Sequence, residues 1–70
     1  MKDFYVEIGS RVKEKRLALK LTRDRLAYMA KISDKFLYEI ELGRKGMSAE
    51  TLYKLAKALG VSADWLLGGE

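Results

Sequence analysis

Apolar residues recur at helical intervals along most of the chain, broken by short polar stretches that open with serine or threonine. Phe4, Ile8, Val12 and Leu19 are spaced by four, four and seven residues, with Glu7, Arg11, Lys13, Glu14 and Lys15 on other faces. That spacing predicts an amphipathic helix over 4–19, with Asp3 as its cap. Thr22 precedes a short run in which Leu26, Ala27 and Ala30 form a narrow apolar face, so the hydroxyl caps a second helix over 23–30. Ser33 stands in the same relation to a third helix, 34–42, with Leu37 and Ile40 inward and Gly43 as a left-handed stop. Ser48 opens the most regular run, 49–59, with Leu52, Leu55, Ala56 and Leu59 inward and Gly60 after it. Ser62 begins a last turn over 63–67, where Asp64 suits the helix dipole and Trp65 and Leu66 close the core. Five helices and no strand make this an all-α fold, a single domain over 1–70.

Composition narrows the function. The 70 residues contain no cysteine and no histidine. That removes disulfides, thiolate and imidazole catalysis and the usual zinc sites; catalysis would rest on Asp, Glu, Lys or Tyr in a domain too small for a deep cleft. No enzyme activity, cofactor, metal or small-molecule ligand is expected. The longest apolar runs, such as Trp65 to Leu67, are far short of a signal peptide or a membrane span, and no lipidation motif is present. The expectation is a cytoplasmic protein without a membrane partner. The charge of +4 is unevenly spread: Met1 to Gly46 carries 12 basic and 7 acidic residues, Met47 to Glu70 only 2 and 3. A basic first two thirds points to a negatively charged partner, nucleic acid before membrane.

The second and third helices are separated only by Lys31, Ile32 and Ser33, the spacing of a helix-turn-helix. A tight turn alone is equally the mark of a plain packed bundle. The wider pattern says more: Ile8, Gly9, Val12, Lys13 and Arg16; Leu21, Thr22, Leu26 and Ala27; Ile32, Ser33, Leu37, Ile40, Glu41 and Gly43; and Thr51, Leu52, Leu55, Ala56, Ala58, Leu59, Gly60, Val61, Ser62, Asp64 and Trp65 to Leu67. In these residues the chain resembles the phage repressor and Cro (Xre-type) helix-turn-helix family, from Ile8 to Gly68. It departs from that pattern at Arg23, where glutamine is usual, at Lys31, where glycine commonly makes the turn, and at Met47, where proline is frequent.

The resemblance implies a compact five-helix, lambda-repressor-like DNA-binding domain with helix 34–42 in the major groove. Asp34, Lys35 and Glu39 match the family's base-reading positions. Lys35 can donate to guanine O6 and N7, and either carboxylate can accept from cytosine N4. Asp34 and Glu39 are also readable as N-terminal helix charge and solvated surface. Tyr38 joins the base-reading set; Tyr38 or Phe36 can touch a thymine methyl or the sugar, and Phe36 is placed with the phosphate-facing group. Phosphate contacts fall to Arg23, Arg44 and Lys45, with Lys20, Arg25 and Lys31 as further cations. Arg16 and Glu41 match a family ion pair between the first and third helices. The aromatics Phe4, Tyr5, Tyr28, Tyr53 and Trp65 are expected in the core or an interface, not as a stacking platform, with Trp65 buried. The implied function is a sequence-specific double-stranded DNA-binding regulator, a repressor occupying an inverted-repeat operator as a homodimer, with the end around Leu67 as the contact. The alternative is a protein-interaction module, such as the antitoxin of a toxin-antitoxin pair.

Overall fold

The computed structural model describes the backbone of residues 2–69 and the side chains of residues 4–69. Its elements are α1 (Lys2–Ala18), α2 (Arg23–Ala30), α3 (Asp34–Glu41), α4 (Ala49–Leu59) and α5 (Ala63–Leu66), with no strand among the described residues. Four of the helices start on a hydroxyl. Thr22, Ser33, Ser48 and Ser62 have extended backbones, and each side-chain oxygen accepts from the amide three residues on, at 3.0 to 3.1 Å. These bonds satisfy donors that the first turn leaves free. α1 is different: it already includes Asp3, which therefore lies inside the helix instead of capping it, and whose side chain is outside the described residues.

The five described helices end alike, in the paired bonds of the Schellman motif. The amide of a left-handed residue bonds three residues back, and the next amide five back. Lys20 and Leu21 do so after α1, Lys31 and Ile32 after α2, Gly43 and Arg44 after α3, Gly60 and Val61 after α4, and Gly68 and Gly69 after α5. Two of the left-handed positions are lysines, at φ 60° and 58°. The side chain that follows usually folds back on the helix, and Leu21, Ile32 and Val61 pack partly buried against the core. After α3 that place belongs to Arg44, which is exposed.

The core is built from Ile8 and Val12 of α1, Leu26, Ala27 and Ala30 of α2, Leu37 and Ile40 of α3, Leu55, Ala56 and Leu59 of α4 and Leu66 of α5. α1 packs on α3, α4 and α5, and α2 packs on α3 and α4. Gly9 is the closest point between α1 and α3: a Cβ there would collide with the Ile40 carbonyl oxygen. Beside it, Arg16 crosses to Glu41 with Nε–Oε2 at 2.7 Å and Nη2–Oε1 at 3.1 Å, and its Nη1 donates to the Leu21 carbonyl at 3.0 Å. Both side chains are shielded, at 9% and 4% exposure.

Several expected core positions differ. Phe4 and Leu19 are exposed. α1 is about 25 Å long and the longest dimension of the molecule is 28 Å, so the shorter helices packed on it cannot cover both ends. The helix also stops at Ala18, which takes Leu19 off its face, and Leu21 turns inward instead. Leu52 and Trp65 are only partly buried, because Leu55 and Leu66 hold the central places. Phe4, Tyr5, Tyr28 and Tyr53 lie at the surface, which excludes the core as their place and leaves the interface half of the expectation.

Candidate nucleic-acid interface

α3 divides sharply. Leu37 and Ile40 are 0% exposed and anchor it to α1 and α2. Asp34, Lys35 and Tyr38 are exposed on the other side, and Glu39 is partly so. The Gly9 contact and the Arg16–Glu41 pair hold the C-terminal end of α3 against α1. The Ser33 cap fixes its start, and the tight turn after α2 sets its angle, with Lys31 in the left-handed conformation that glycine adopts more easily.

Arg23, Asp34 and Tyr38, expected to make separate contacts, form one cluster. Arg23 Nε donates to Asp34 Oδ1 at 3.1 Å, and its guanidinium carbon stands 4.8 Å from the centre of the Tyr38 ring. The first residue of α2 is thus clamped against the first two turns of α3 by a carboxylate and an aromatic face. The pair is solvated, so it adds at most about 1 kcal/mol to stability; its main effect is to orient the guanidinium. The carboxylate of Asp34 is thereby partly neutralised by the guanidinium.

Lys35 makes no hydrogen bond or ion pair among the described residues. Phe36 is half-buried, with part of its ring packed against the core and the remainder at the surface. Arg44 and Lys45 are exposed in the loop directly after α3, and the Arg44 amide is tied to the Glu39 carbonyl at 3.0 Å. One participant in this region had no sequence signal. Gly46 of the loop is covered by the ring of Tyr5, a contact across some forty residues that no periodicity marks.

A buried-backed helix with an outward polar face, set by a tight turn and flanked by cations, defines a domain of the kind that DNA-binding transcriptional regulators carry. Comparison with known proteins agrees: residues 9–70 match the helix-turn-helix domain model, and the chain belongs to that family. It is 40% identical over 58 residues to an uncharacterized transcriptional regulator in the ATPase CF(0) region of Rhodospirillum rubrum, covering 83% of this chain and 54% of that one. It is 38% identical over 63 residues to the immunity repressor protein of Bacillus phage phi105, covering 90% and 44%. The chain thus spans about half the length of these curated relatives. Among solved structures, the restriction-modification controller protein C.AhdI from Aeromonas hydrophila superimposes with a TM-score of 0.86 at 29% identity, covering 89% of this chain and 94% of that one.

Proposed function

We propose that this protein binds an operator in double-stranded DNA sequence-specifically and represses by occupying it. The observation that carries the reading is the division of α3, whose inward side chains are fully buried while its outward ones present a donor and two carboxylates. Lys35 donates to a guanine edge, Glu39 accepts from a cytosine amine, and Asp34 offers the same acceptor through the oxygen that Arg23 leaves free. Tyr38 supports base reading at the sugar or a thymine methyl. Arg23, Arg44 and Lys45 hold phosphates, with the accessible part of Phe36 against the backbone.

Two copies bind an inverted repeat whose half-sites lie about 34 Å apart. The exposed Leu67 near the end of the described chain is the contact between them. No helix among the described residues is long and apolar enough to cross a membrane, and the reading places the protein with the DNA in the cytoplasm. The two acids on the α3 face are the best support for the other candidate, a protein-interaction module, and the Arg23 pairing of Asp34 weakens it.

Selection from random duplexes tests the reading. An enriched inverted repeat is expected, and no enrichment at moderate salt overturns it. Within the selected site, Lys35→Ala should cost about 1–3 kcal/mol and relax one base position, whereas Lys45→Ala should weaken all sequences alike. Equal loss of preference in both variants would remove Lys35 from base reading.

A further inference from the structure

Two consecutive residues of α1 touch the two glycines that bracket the cations of the loop after α3. A Cβ on Gly43 would fall 2.6 Å from Val6 Cγ2, and one on Gly46 would fall 2.6 Å from Tyr5 Cζ and 2.8 Å from its hydroxyl oxygen. Gly43 has a second reason to be glycine, its φ of 75°. Gly46 has no positive φ, so what its missing side chain provides is the close approach of the Tyr5 ring. Neither Tyr5 nor Val6 belongs to the core. Tyr5 is 37% exposed, with the Phe4 ring 5.3 Å away. The start of α1 therefore places apolar groups against a loop instead of into the interior, and the segment between its two contacts is Arg44–Lys45.

We infer that Tyr5 is a positioning residue for DNA binding: its ring, seated on Gly46, holds Arg44 and Lys45 ready for the phosphate backbone. The inference rests on the phosphate-binding role proposed for those two cations. A loop flanked by glycines and carrying two long side chains loses conformational freedom when it grips a ligand, and that loss subtracts from affinity. A loop already seated on a helix has lost part of it on folding. Val6 fixes the near end at Gly43 and Tyr5 the far end at Gly46. The Schellman bonds of Gly43 and Arg44 tie the near end; beyond the loop Met47 packs against the core, and Tyr5 is what seats Gly46, the residue that follows the two cations. The ring carbons come closest to Gly46 and the hydroxyl makes no hydrogen bond among the described residues, so a phenylalanine should serve in its place.

The test is a double-mutant cycle on the whole chain, reading affinity for a selected duplex and an unrelated duplex, with thermal unfolding alongside. Tyr5→Ala should weaken both duplexes about tenfold, as an unseated loop of two ordered side chains would. In an Arg44→Ala, Lys45→Ala background the same change should cost less than about twofold, because Tyr5 acts through those cations. Tyr5→Phe should bind like the parent, and Gly46→Ala, which lifts the ring from the other side, should reproduce Tyr5→Ala even if the latter folds poorly. An equal loss in both backgrounds means general structural damage and overturns the inference. So does a silent Tyr5→Ala, or a Tyr5→Phe as weak as Tyr5→Ala, which would make the hydroxyl itself the contact. If the Arg44→Ala, Lys45→Ala protein binds like the parent, the phosphate role of the loop has failed, and the inference with it; if it is weak while Tyr5→Ala is silent, only the positioning role has failed.

Discussion

At the scale of single residues, the exposed charges and the shielded ones behave differently. Arg16 and Glu41 are bonded bidentately and almost sealed from water, so Arg16→Ala leaves a buried carboxylate without its partner. We expect it to lower unfolding free energy by about 3–5 kcal/mol in urea titration. Replacing both residues by leucine and methionine should restore much of the loss, since a buried pair gives back most of its attraction as desolvation. Lys31 is the opposite case. It sits at φ 58° with its side chain in solvent, and the left-handed strain of about 1–2 kcal/mol exceeds the chain entropy that glycine adds when unfolded. Lys31→Gly should therefore raise the melting temperature by a few degrees, and an unchanged or lower value would show that the turn is unstrained. The departure from glycine at Lys31 was visible in the sequence, whereas nothing marked Lys20, because a lysine after a helix is ordinarily just solvated.

Helices are where the sequence was most informative, and the reason is range. An N-cap acts over three residues, so Thr22, Ser33, Ser48 and Ser62 could be read directly from the chain. The burial of Leu26, Leu37, Ile40 and Leu55 followed from a local period. The same period misplaced Phe4 and Leu19, since spacing says which face is apolar and not how far the neighbouring helices extend. Contacts between distant segments leave no such trace. Gly9 stood out only through family resemblance; its physical role, letting α1 rest on the Ile40 carbonyl, needed the structure. Gly9→Ala improves helix propensity yet forces α1 from α3, so it should destabilise the fold by about 1–3 kcal/mol and, by tilting α3, weaken the selected duplex more than an unrelated one. Full stability in Gly9→Ala would mean that the two helices separate at no cost. The clustering of Arg23 with Asp34 and Tyr38 was likewise hidden: each residue had been given a contact of its own, and only the packing of α2 on α3 joins them.

For the molecule as a whole, the division of charge matters most. Its excess of basic residues lies before Met47, in the part that contains α2, α3 and the loop after them. If Arg23, Arg44 and Lys45 hold phosphates as proposed, log affinity should fall against log salt with a slope of about −2.7 for one domain and about twice that for two copies on an operator. A slope near zero, measured by anisotropy across a salt series, would favour a protein partner instead. Fold class was accessible from the amino acids because small helical domains depend on short-range signals. The geometry of the candidate interface was less so, since Tyr5, Gly9 and Arg23 meet segments distant in the chain.

The two-sidedness of α3 has a practical corollary for altering target preference. Because Leu37, Ile40 and the inner part of Phe36 moor the helix to the interior and Glu41 ties it to Arg16, the proposed base-reading residues Lys35 and Glu39 are expected to be exchangeable for those of another regulator with little effect on the hydrophobic packing. Asp34 and Tyr38 cannot be swapped so freely: both are shared with Arg23, so a transplanted specificity has to bring the opening residue of α2 along with it.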